Sequence, residues 1–213
     1  MRKPRVLLAD DHQIVLEGLR SLLEPQFELV GMVTNGRELL QAARRLKPDV
    51  IVVDISMPLL NGIEAVQQLR KSGMRAKVVF LTMHPDAVYA TRAFEAGAVG
   101  YVLKHSAPSE LVTAIQEALA GRRYVTPIIE GALTHACAEG IPLRADAESN
   151  LTPRQREVLQ LLAEGRSAKE IAEMLCISPR TVEFHKYRMM EELGIKTSSE
   201  LVRYAVRHGV VGE

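Results

Sequence analysis

The chain of 213 residues contains no tryptophan, and only 4% of its residues are aromatic. Its two cysteines, Cys137 and Cys176, stand far apart, which excludes a dense disulfide framework and favours a reduced cytoplasmic protein. No apolar run approaches the ~20 residues that cross a bilayer. Met1 leads into a charged start without a signal-peptide core. We therefore expect a cytoplasmic protein with no membrane partner.

The chain also lacks an excess of charge of either sign. It has 27 Lys and Arg against 26 Asp and Glu, a net charge of +1. Residues 151–213 are balanced in the same way, with ten basic and nine acidic side chains. The net charge therefore gives no strong overall attraction to a polyanion such as nucleic acid, and binding to one requires a local patch of positive charge.

Residues 5–120 alternate short apolar runs with amphipathic segments, which predicts an α/β fold of five βα units. The expected strands are residues 5–9, 27–33, 49–53, 77–82 and 99–103. Later helices are expected at residues 62–71, 86–96 and 107–120. Such alternation implies a parallel sheet covered by helices on both faces, with right-handed crossovers.

The pattern changes after residue 120. Residues 123–149 are predicted to be a linker with a possible short helix around residues 128–133, and residues 139–150 are polar and typical of a mobile segment. Residues 151–213 are predicted to be entirely helical. Helix-capping signals recur there at Thr152-Pro153, Ser167 and Ser178-Pro179. Short helices joined by tight turns favour a helix-turn-helix layout.

Chemically active side chains follow four of the predicted strands. Asp10 and Asp11 follow the first strand, Asp54 the third, Thr82 closes the fourth, and Lys104 follows the fifth. Because the carboxyl ends of parallel strands share one edge of a sheet, these side chains are expected to converge. An acid at a strand end can also be a simple turn or cap residue, but this combination favours a cation and phosphoryl site.

A cluster of three carboxylates requires a cation, since like charges disfavour one another's ionised forms. The sequence offers oxygen ligands and no His or Cys at ligand spacing, which favours Mg²⁺ or Mn²⁺ over Zn²⁺. Asp54 is then placed to attack a phosphoryl donor and form an acyl phosphate.

The first part of the chain, roughly residues 4–120, resembles the receiver domain of bacterial response regulators, which has a flavodoxin-like fold. The resemblance is carried by Asp10-Asp11, Asp54 followed by Met57-Pro58, Thr82, Tyr101 and Lys104. It implies that Asp54 accepts a phosphoryl group from the phosphohistidine of a sensor histidine kinase.

The resemblance also implies roles for the other residues. Asp11, Asp54 and the backbone carbonyl of Ser56 would hold Mg²⁺, with Asp10 acting largely through water. Lys104 would pair with the phosphoryl group, Thr82 would move to bond it, and Tyr101 would follow inward. Tyr101 has the alternative of a half-buried strand aromatic.

Two histidines near this site are expected to be solvated loop residues, His84 and His105. Receivers often have proline after the lysine, whereas His105 stands there in this chain. A cis bond without proline costs about 2.5–4 kcal/mol, which leaves the conformation of the Lys104-His105 bond open.

Residues 151–213 resemble the LuxR-type helix-turn-helix. The resemblance runs through residues 151–159, Lys169-Glu170-Ile171-Ala172 and residues 178–185. Together with the receiver, it indicates a response regulator of the NarL/FixJ type. The third helix of this module would then enter the major groove of double-stranded DNA.

An α-helix turns by about 100° per residue, and this rotation assigns the residues of the third helix to two faces. Val182, Met189 and Leu193 share a stripe that is expected to pack inward. The candidate DNA contacts are Arg180, Thr181, Glu183, Phe184, His185, Lys186, Tyr187 and Arg188.

Six of these residues have a chemical expectation. Phe184 suits a thymine methyl, and the two arginines suit phosphates or a guanine edge. Glu183 can accept from cytosine, and Lys186 lies nearer the core edge. His185 suits a phosphate or a packed position. The alternative is a face that contacts protein.

The leading hypothesis is a transcription regulator with a receiver at residues 1–122, a linker at 123–149 and a DNA-binding domain at 150–213. Phosphorylation would control dimerisation and DNA binding. The last helix would either pair two such domains or pack on the first helix of its own domain. We expect no enzymatic activity beyond self-catalysed phosphoryl transfer and slow autodephosphorylation.

The sequence leaves two alternative functions. An aspartyl-phosphate phosphatase needs a second acid close after its nucleophile, and the position two residues after Asp54 is Ser56. A protein-interaction output is the other alternative, and steeply salt-dependent DNA binding would oppose it.

Overall fold

A parallel β-sheet forms the centre of the first domain in the computed structural model, which describes residues 2–138, 151–208 and 210–211. The strands are β1 (Arg5–Ala9), β2 (Glu28–Val33), β3 (Val50–Val53), β4 (Lys77–Thr82), β5 (Gly100–Leu103) and β6 (Tyr124–Val125). Their order is β2-β1-β3-β4-β5-β6, and every pair is parallel. The predicted parallel sheet is confirmed, with each of the five expected strands within one residue of its predicted bounds.

Helices cover both faces of the sheet, as the continuous apolar strands require. They are α1 (Gln13–Leu23), α2 (Gly36–Leu46), α3 (Gly62–Lys71), α4 (Ala87–Glu95) and α5 (Ala107–Leu119). Helices α1 and α5 pack on one face against Val6, Leu8 and Val52. Helices α2, α3 and α4 pack on the other face against Leu7 and Ile51. The α/β prediction is therefore confirmed as a flavodoxin-like fold.

A sixth strand and a further helix extend the sheet domain. Strand β6 pairs with β5, and helix α6 (Pro127–Ala138) packs against α4. Thr126 joins this extension to β5, because its N–H donates to Tyr101 O at 3.0 Å and its hydroxyl accepts from Leu103 N at 3.2 Å. The expected short helix is α6, whereas a two-residue strand was too short to predict. The polar segment predicted at residues 139–150 lies outside the described residues.

Four helices form the second domain. They are α7 (Pro153–Ala163), α8 (Ala168–Leu175), α9 (Pro179–Glu192) and α10 (Ser198–Arg207). Thr152 and Ser167 form the predicted capping boxes, and Ser178 caps the third helix by accepting from Thr181 N. A glycine after an amphipathic run is typical of a helix end, so the sequence predicts that the last helix stops at Gly209. Gly209 lies outside the described residues.

No helix in the described ranges combines the length and apolar character needed to cross a bilayer.

Candidate functional site

The register of the sheet explains how the strand-end side chains meet. Ala9 lies beside Val53 in the β1–β3 pair, so that the next residues, Asp10 and Asp54, are neighbours. Thr82 lies beside Leu103 in the β4–β5 pair, so that Lys104 follows at the same edge. Asp54 N donates to Ala9 O at 2.8 Å, which holds the end of β3 against β1.

Three carboxylates and one ammonium form a compact cluster there. One ligand atom from each of Asp10, Asp11 and Asp54 lies within 4.8 Å of the others. Lys104 Nζ lies 2.7 Å from Asp54 Oδ2 and 2.7 Å from Asp10 Oδ2. Asp54 Oδ1 accepts from Ile55 N at 2.6 Å. The cluster is compatible with a divalent metal ion, because hard cations prefer carboxylate oxygens.

Burial and neighbouring charges have opposite effects on the pKa values of Asp54 and Lys104. Burial raises the pKa of Asp54, and the nearby Lys104 ammonium offsets only part of that effect. Burial alone would lower the pKa of Lys104, but Asp54 and Asp10 outweigh it, so that its pKa stands above the usual value. The lysine therefore remains a fixed positive charge beside the acidic residues.

His12 corrects the expectation that no histidine lies at ligand spacing. Its Nδ1 is 2.9 Å from Asp11 Oδ1 and 3.3 Å from Asp10 Oδ1, and the imidazole belongs to the same potential metal-binding group. The backbone contributes to this placement, because His12 N donates to Asp10 Oδ1 at 2.9 Å.

The two loop histidines differ from each other. His84 is half-buried, stacks on Tyr89 with ring centroids 4.2 Å apart, and lies 2.9 Å from Ser56 Oγ through Nε2. The expectation of a solvated loop residue was therefore wrong for His84, since long-range contacts hold its ring. His105 is exposed, as expected. The Lys104-His105 peptide bond is trans, since no cis bond occurs among the described residues.

Tyr101 and Thr82 both bond the main chain of His84. Tyr101 is fully buried, and its hydroxyl donates to His84 O at 2.9 Å. The alternative of a half-buried strand aromatic is therefore wrong. Burial raises the pKa of Tyr101, which keeps the hydroxyl protonated as a donor. Thr82 is also buried, and its Oγ1 accepts from His84 N at 3.3 Å.

Two glycines lie close to the main chain of the segment between β3 and α3, residues 54–61. A Cβ added at Gly62 would lie 2.0 Å from Asp54 O, and one added at Gly36 would lie 2.0 Å from Leu60 O. We call residues 57–61 the acceptor loop. Leu59 in this loop has a φ of 67°, a conformation that is uncommon for a residue other than glycine.

A cleft of about 860 Å³ opens onto Asp54. Its walls include Asp11, Thr82 and Lys104 from the first domain. They also include Glu164 after α7 and Arg207 of α10 from the second domain. The helical domain therefore forms part of the mouth of the acidic site, an arrangement that the sequence did not predict.

The third helix of the second domain, α9, has the two faces that its sequence predicts. Val182 and Met189 are fully buried in the domain core, and Leu193 packs against it. Phe184 is 60% exposed and Tyr187 is 65% exposed on the other face. These fractions matter because large apolar side chains on a solvated helix are typical of a contact surface.

The polar residues of α9 surround those aromatic side chains. Arg180 and Arg188 are exposed, while Thr181, Glu183 and His185 are intermediate. Lys186 lies 3.7 Å from Glu183 and keeps only 19% of its side chain exposed, in agreement with a position near the core edge. Helix α10 buries Leu201 and Ala205 and packs against α7.

Two protein families match the chain. The response regulator receiver domain matches residues 6–116, and the luxR family of bacterial regulatory proteins matches residues 149–205.

Full-length relatives share both parts. The chain is 38% identical to the transcriptional regulatory protein MctR of Rhizobium johnstonii over 99% of this chain and 97% of the relative. It is 36% identical to the response regulator GacA of Pseudomonas aeruginosa over 97% of each. A solved structure of RcsB from Salmonella enterica serovar Typhimurium, bound to a promoter with the phosphomimetic BeF3⁻, is 28% identical. It matches with a TM-score of 0.64 over 97% of this chain and 100% of that chain.

The chain therefore belongs to the response regulators that join a receiver domain to a LuxR-family DNA-binding domain. Proteins of this family regulate transcription, and phosphorylation by a histidine kinase is their common mechanism. The flavodoxin-like sheet is the receiver, and helices α7 to α10 form the DNA-binding domain.

Proposed function

We propose that Asp54 is the phosphoacceptor of this response regulator and receives its phosphoryl group from the phosphohistidine of a sensor histidine kinase. The observation that carries this proposal is the position of Lys104, whose ammonium lies 2.7 Å from Asp54 Oδ2 beside two further carboxylates. A fixed cation beside a carboxylate nucleophile can compensate the charge that a phosphoryl group brings.

The metal in this proposal is Mg²⁺. Asp11, Asp54 and the backbone carbonyl of Ser56 would hold it, and Asp10 would act largely through water. The all-oxygen donor set of these four residues suits a hard cation, which would neutralise charge on the phosphoryl oxygens. His12 beside Asp11 can orient that carboxylate from the outside.

The transfer is an in-line displacement at phosphorus. A carboxylate oxygen of Asp54 forms the new P–O bond while the P–N bond of the phosphohistidine breaks. The electron pair of that bond leaves with the imidazole, and Asp54 becomes an acyl phosphate. This self-catalysed transfer and a slow autodephosphorylation complete the chemistry, so the proposal assigns no turnover of other substrates.

Three residues would convert the new charge into a structural change. Lys104 would pair with the phosphoryl group, and Thr82 would move to bond it. Tyr101 would respond to Thr82, because Thr82 Oγ1 and the Tyr101 hydroxyl both bond the main chain of His84. A phosphoryl group shifts this equilibrium only if it binds one arrangement better than the other.

The output of the switch is sequence-specific binding to double-stranded DNA in the cytoplasm. We place the receiver at residues 1–122, the linker at 123–149 and the DNA-binding domain at 150–213. The linker in this division begins with β6 and α6, which pack on the receiver. Phosphorylation would favour a homodimer. Helix α9 would enter the major groove. Its proposed contacts are Arg180, Thr181, Glu183, Phe184, His185, Lys186, Tyr187 and Arg188.

The phosphoacceptor is tested by labelling the protein with acetyl phosphate and Mg²⁺. Asp54→Asn should abolish labelling, because an amide is a poor nucleophile. Asp49→Asn is the matched control, since Asp49 precedes the opposite end of the same strand and should leave labelling intact. Undiminished labelling of Asp54→Asn would reject the assignment.

The DNA output is tested by a genome-wide DNA-binding selection with and without the phosphodonor, followed by measurements on Arg188→Ala. Loss of one phosphate contact should weaken binding and reduce the salt slope by about 1. Arg44→Ala removes one exposed positive charge from α2 in the receiver and serves as the control. If DNA binding by the two variants had the same salt dependence, the assignment of Arg188 to the DNA interface would be rejected.

A further inference from the structure

A single threonine after the last strand bonds the segment that carries Lys104 at both of its ends. Thr126 Oγ1 accepts from Leu103 N at 3.2 Å, and Leu103 directly precedes Lys104. The same hydroxyl donates to Glu110 Oε2 at 2.6 Å, and Glu110 lies in the first turn of α5. The hydroxyl of Thr126 therefore connects the residue before Lys104 with the helix that follows it.

Lys104 begins a short 3₁₀ turn between these two contacts. The turn is Lys104–Ser106, and Ala107 N donates to Lys104 O at its end. Because the turn has only three residues, its position depends on β5 before it and on α5 after it. We call residues 103–110 the lysine segment.

The contact between Thr126 and Leu103 is buried. Leu103 is 0% exposed and Thr126 is 3% exposed. Buried main-chain N–H groups are nearly always hydrogen-bonded in proteins. Loss of the Thr126 hydroxyl would remove the partner that Leu103 N has in this structure, and would favour a shift of the end of β5.

The ammonium of Lys104 needs an accurate position. It lies 2.7 Å from Asp54 Oδ2 and 2.7 Å from Asp10 Oδ2, with 11% of the lysine side chain exposed. In the proposed function, this ammonium pairs with the phosphoryl group that Asp54 receives. A displacement of about 1 Å in a reacting group can slow a reaction by about a hundredfold, so the main chain that carries the ammonium has to be held.

Thr126 also bonds β5 through its main chain, since Thr126 N donates to Tyr101 O at 3.0 Å. This bond does not involve the side chain, so Thr126→Val retains it. Substitution can therefore separate the two bonds: the N–H of Thr126 acts on Tyr101, and its hydroxyl acts on the end of β5 that leads into Lys104.

We propose that Thr126 is a positioning residue for Lys104 during phosphoryl transfer to Asp54. Its hydroxyl holds the lysine segment at both ends, and thereby fixes where the ammonium meets the phosphoryl group. Thr126 lies beyond residues 6–116, the range that matches the receiver family. The phosphoryl site thus draws on a residue from the segment that joins the two domains. This inference rests on the proposed roles of Asp54 and Lys104.

The test uses the full chain at saturating Mg²⁺ and has two readouts. They are the affinity for BeF3⁻, a mimic of the phosphoryl group, and the maximal rate of Asp54 labelling by acetyl phosphate. Thr126→Val should lower both by about fivefold or more, within the usual size of coupling inside one hydrogen-bond network. Thr126→Ser keeps the hydroxyl and should stay near the parent. Thr134→Val removes an exposed hydroxyl from α6 and is the control.

Two further measurements distinguish positioning from general destabilisation. Mg²⁺ alone, titrated by calorimetry, should bind Thr126→Val no more weakly than the parent, because Asp11 and Asp54 hold the metal in the proposed function. Amide hydrogen exchange should accelerate at Leu103 and stay unchanged at Val52 in β3. A parallel loss of Mg²⁺ and BeF3⁻ binding would indicate a structural role alone and overturn the proposal.

Glu110 tests the other end of the lysine segment, and does so even if Thr126→Val folds poorly. Glu110→Ala removes the acceptor of the Thr126 hydroxyl and should also lower the affinity for BeF3⁻. Glu110→Gln keeps an oxygen acceptor and should stay near the parent. Equal affinities of the parent and Glu110→Ala would contradict the inference.

The outcomes separate the two proposals. If the parent protein is not labelled at Asp54, the proposed function fails. If the parent is labelled and Thr126→Val matches it in both readouts, this inference alone fails. An equal loss in Thr126→Ser or in Thr134→Val would also overturn it.

Discussion

Lys104 donates a hydrogen bond of 2.7 Å to Asp54, across 50 residues of sequence and two strand ends. The parallel register places both residues at the carboxyl edge of the sheet. The Lys104 ammonium therefore compensates the negative charge of the acidic residues in the absence of a metal ion. It is also placed to pair with a group of greater negative charge at Asp54. A cation added to the cluster and the lysine ammonium would both neutralise the same carboxylates.

Mg²⁺ should stabilise the folded protein. A ligand present at one hundred times its Kd adds about 2.7 kcal/mol to the free energy of unfolding if it binds only the folded state. We expect a rise of several degrees in the Tm of the receiver, measured by differential scanning calorimetry. Asp11→Asn should reduce that rise, whereas Asp49→Asn should retain it. An equal rise in both variants would place the metal elsewhere.

The Mg²⁺ effect should depend on pH through Asp54. Its pKa is raised by burial, and a metal requires the deprotonated carboxylate. The Tm rise should therefore disappear as pH falls, beginning above the value of about 3.9 that is ordinary for an aspartic acid. Thermal melts at several pH values with and without Mg²⁺ measure this. A constant rise down to that pH would contradict the prediction.

The same pKa shift has an effect without metal. Because the folded state keeps its proton to a higher pH than the unfolded state, the contribution of Asp54 to stability falls as pH rises between the two pKa values. Urea denaturation of the parent should show this fall relative to Asp54→Asn, in which no proton is released at this position.

The two faces of α9 should respond differently to alanine. Met189→Ala removes a fully buried side chain and should lower the free energy of unfolding by about 2–5 kcal/mol. Phe184→Ala removes an exposed ring and should change it by less than about 0.5 kcal/mol. Only Phe184→Ala should weaken DNA binding while the fold stays intact. Chemical denaturation and binding titrations would test both, and a destabilised Phe184→Ala would contradict the assignment of faces.

Thr126 should be important for stability despite its position after the last strand. It is 3% exposed, accepts from Leu103 N at 3.2 Å and donates to Glu110 Oε2 at 2.6 Å. Thr126→Val keeps the shape and removes both bonds, so the free energy of unfolding should fall by about 1–3 kcal/mol. Thr134→Val, on the exposed side of α6, is the control for denaturation measurements. Equal values for the two variants would show that β6 adds little to the domain.

The strands and the convergence of their carboxyl ends could be predicted because four of the five apolar runs end in a chemically distinct residue. Asp54 and Lys104 are far apart in sequence, but parallel strands bring their carboxyl ends to one edge whatever their order. The caps at Thr152 and Ser167 were equally predictable, since they depend only on residues three positions apart.

Other features depend on contacts that no local pattern contains. The ring of His84 is set by Tyr89 and by Ser56, which lies 28 residues earlier. Gln160 meets Asn61 across 99 residues, and a polar residue in a short helix gives no sign of its partner. For His12 a local signal was present, because it directly follows Asp10 and Asp11.

The close approach of Gly62 to Asp54 O and of Gly36 to Leu60 O has a consequence for variation among related proteins. Main chain meets main chain at both points, so even a methyl group would displace Asp54 if it were added at Gly62, and Leu60 if it were added at Gly36. An insertion between these points would separate the two ends of the segment. Evolution can therefore change the side chains there more freely than it can change the number of residues.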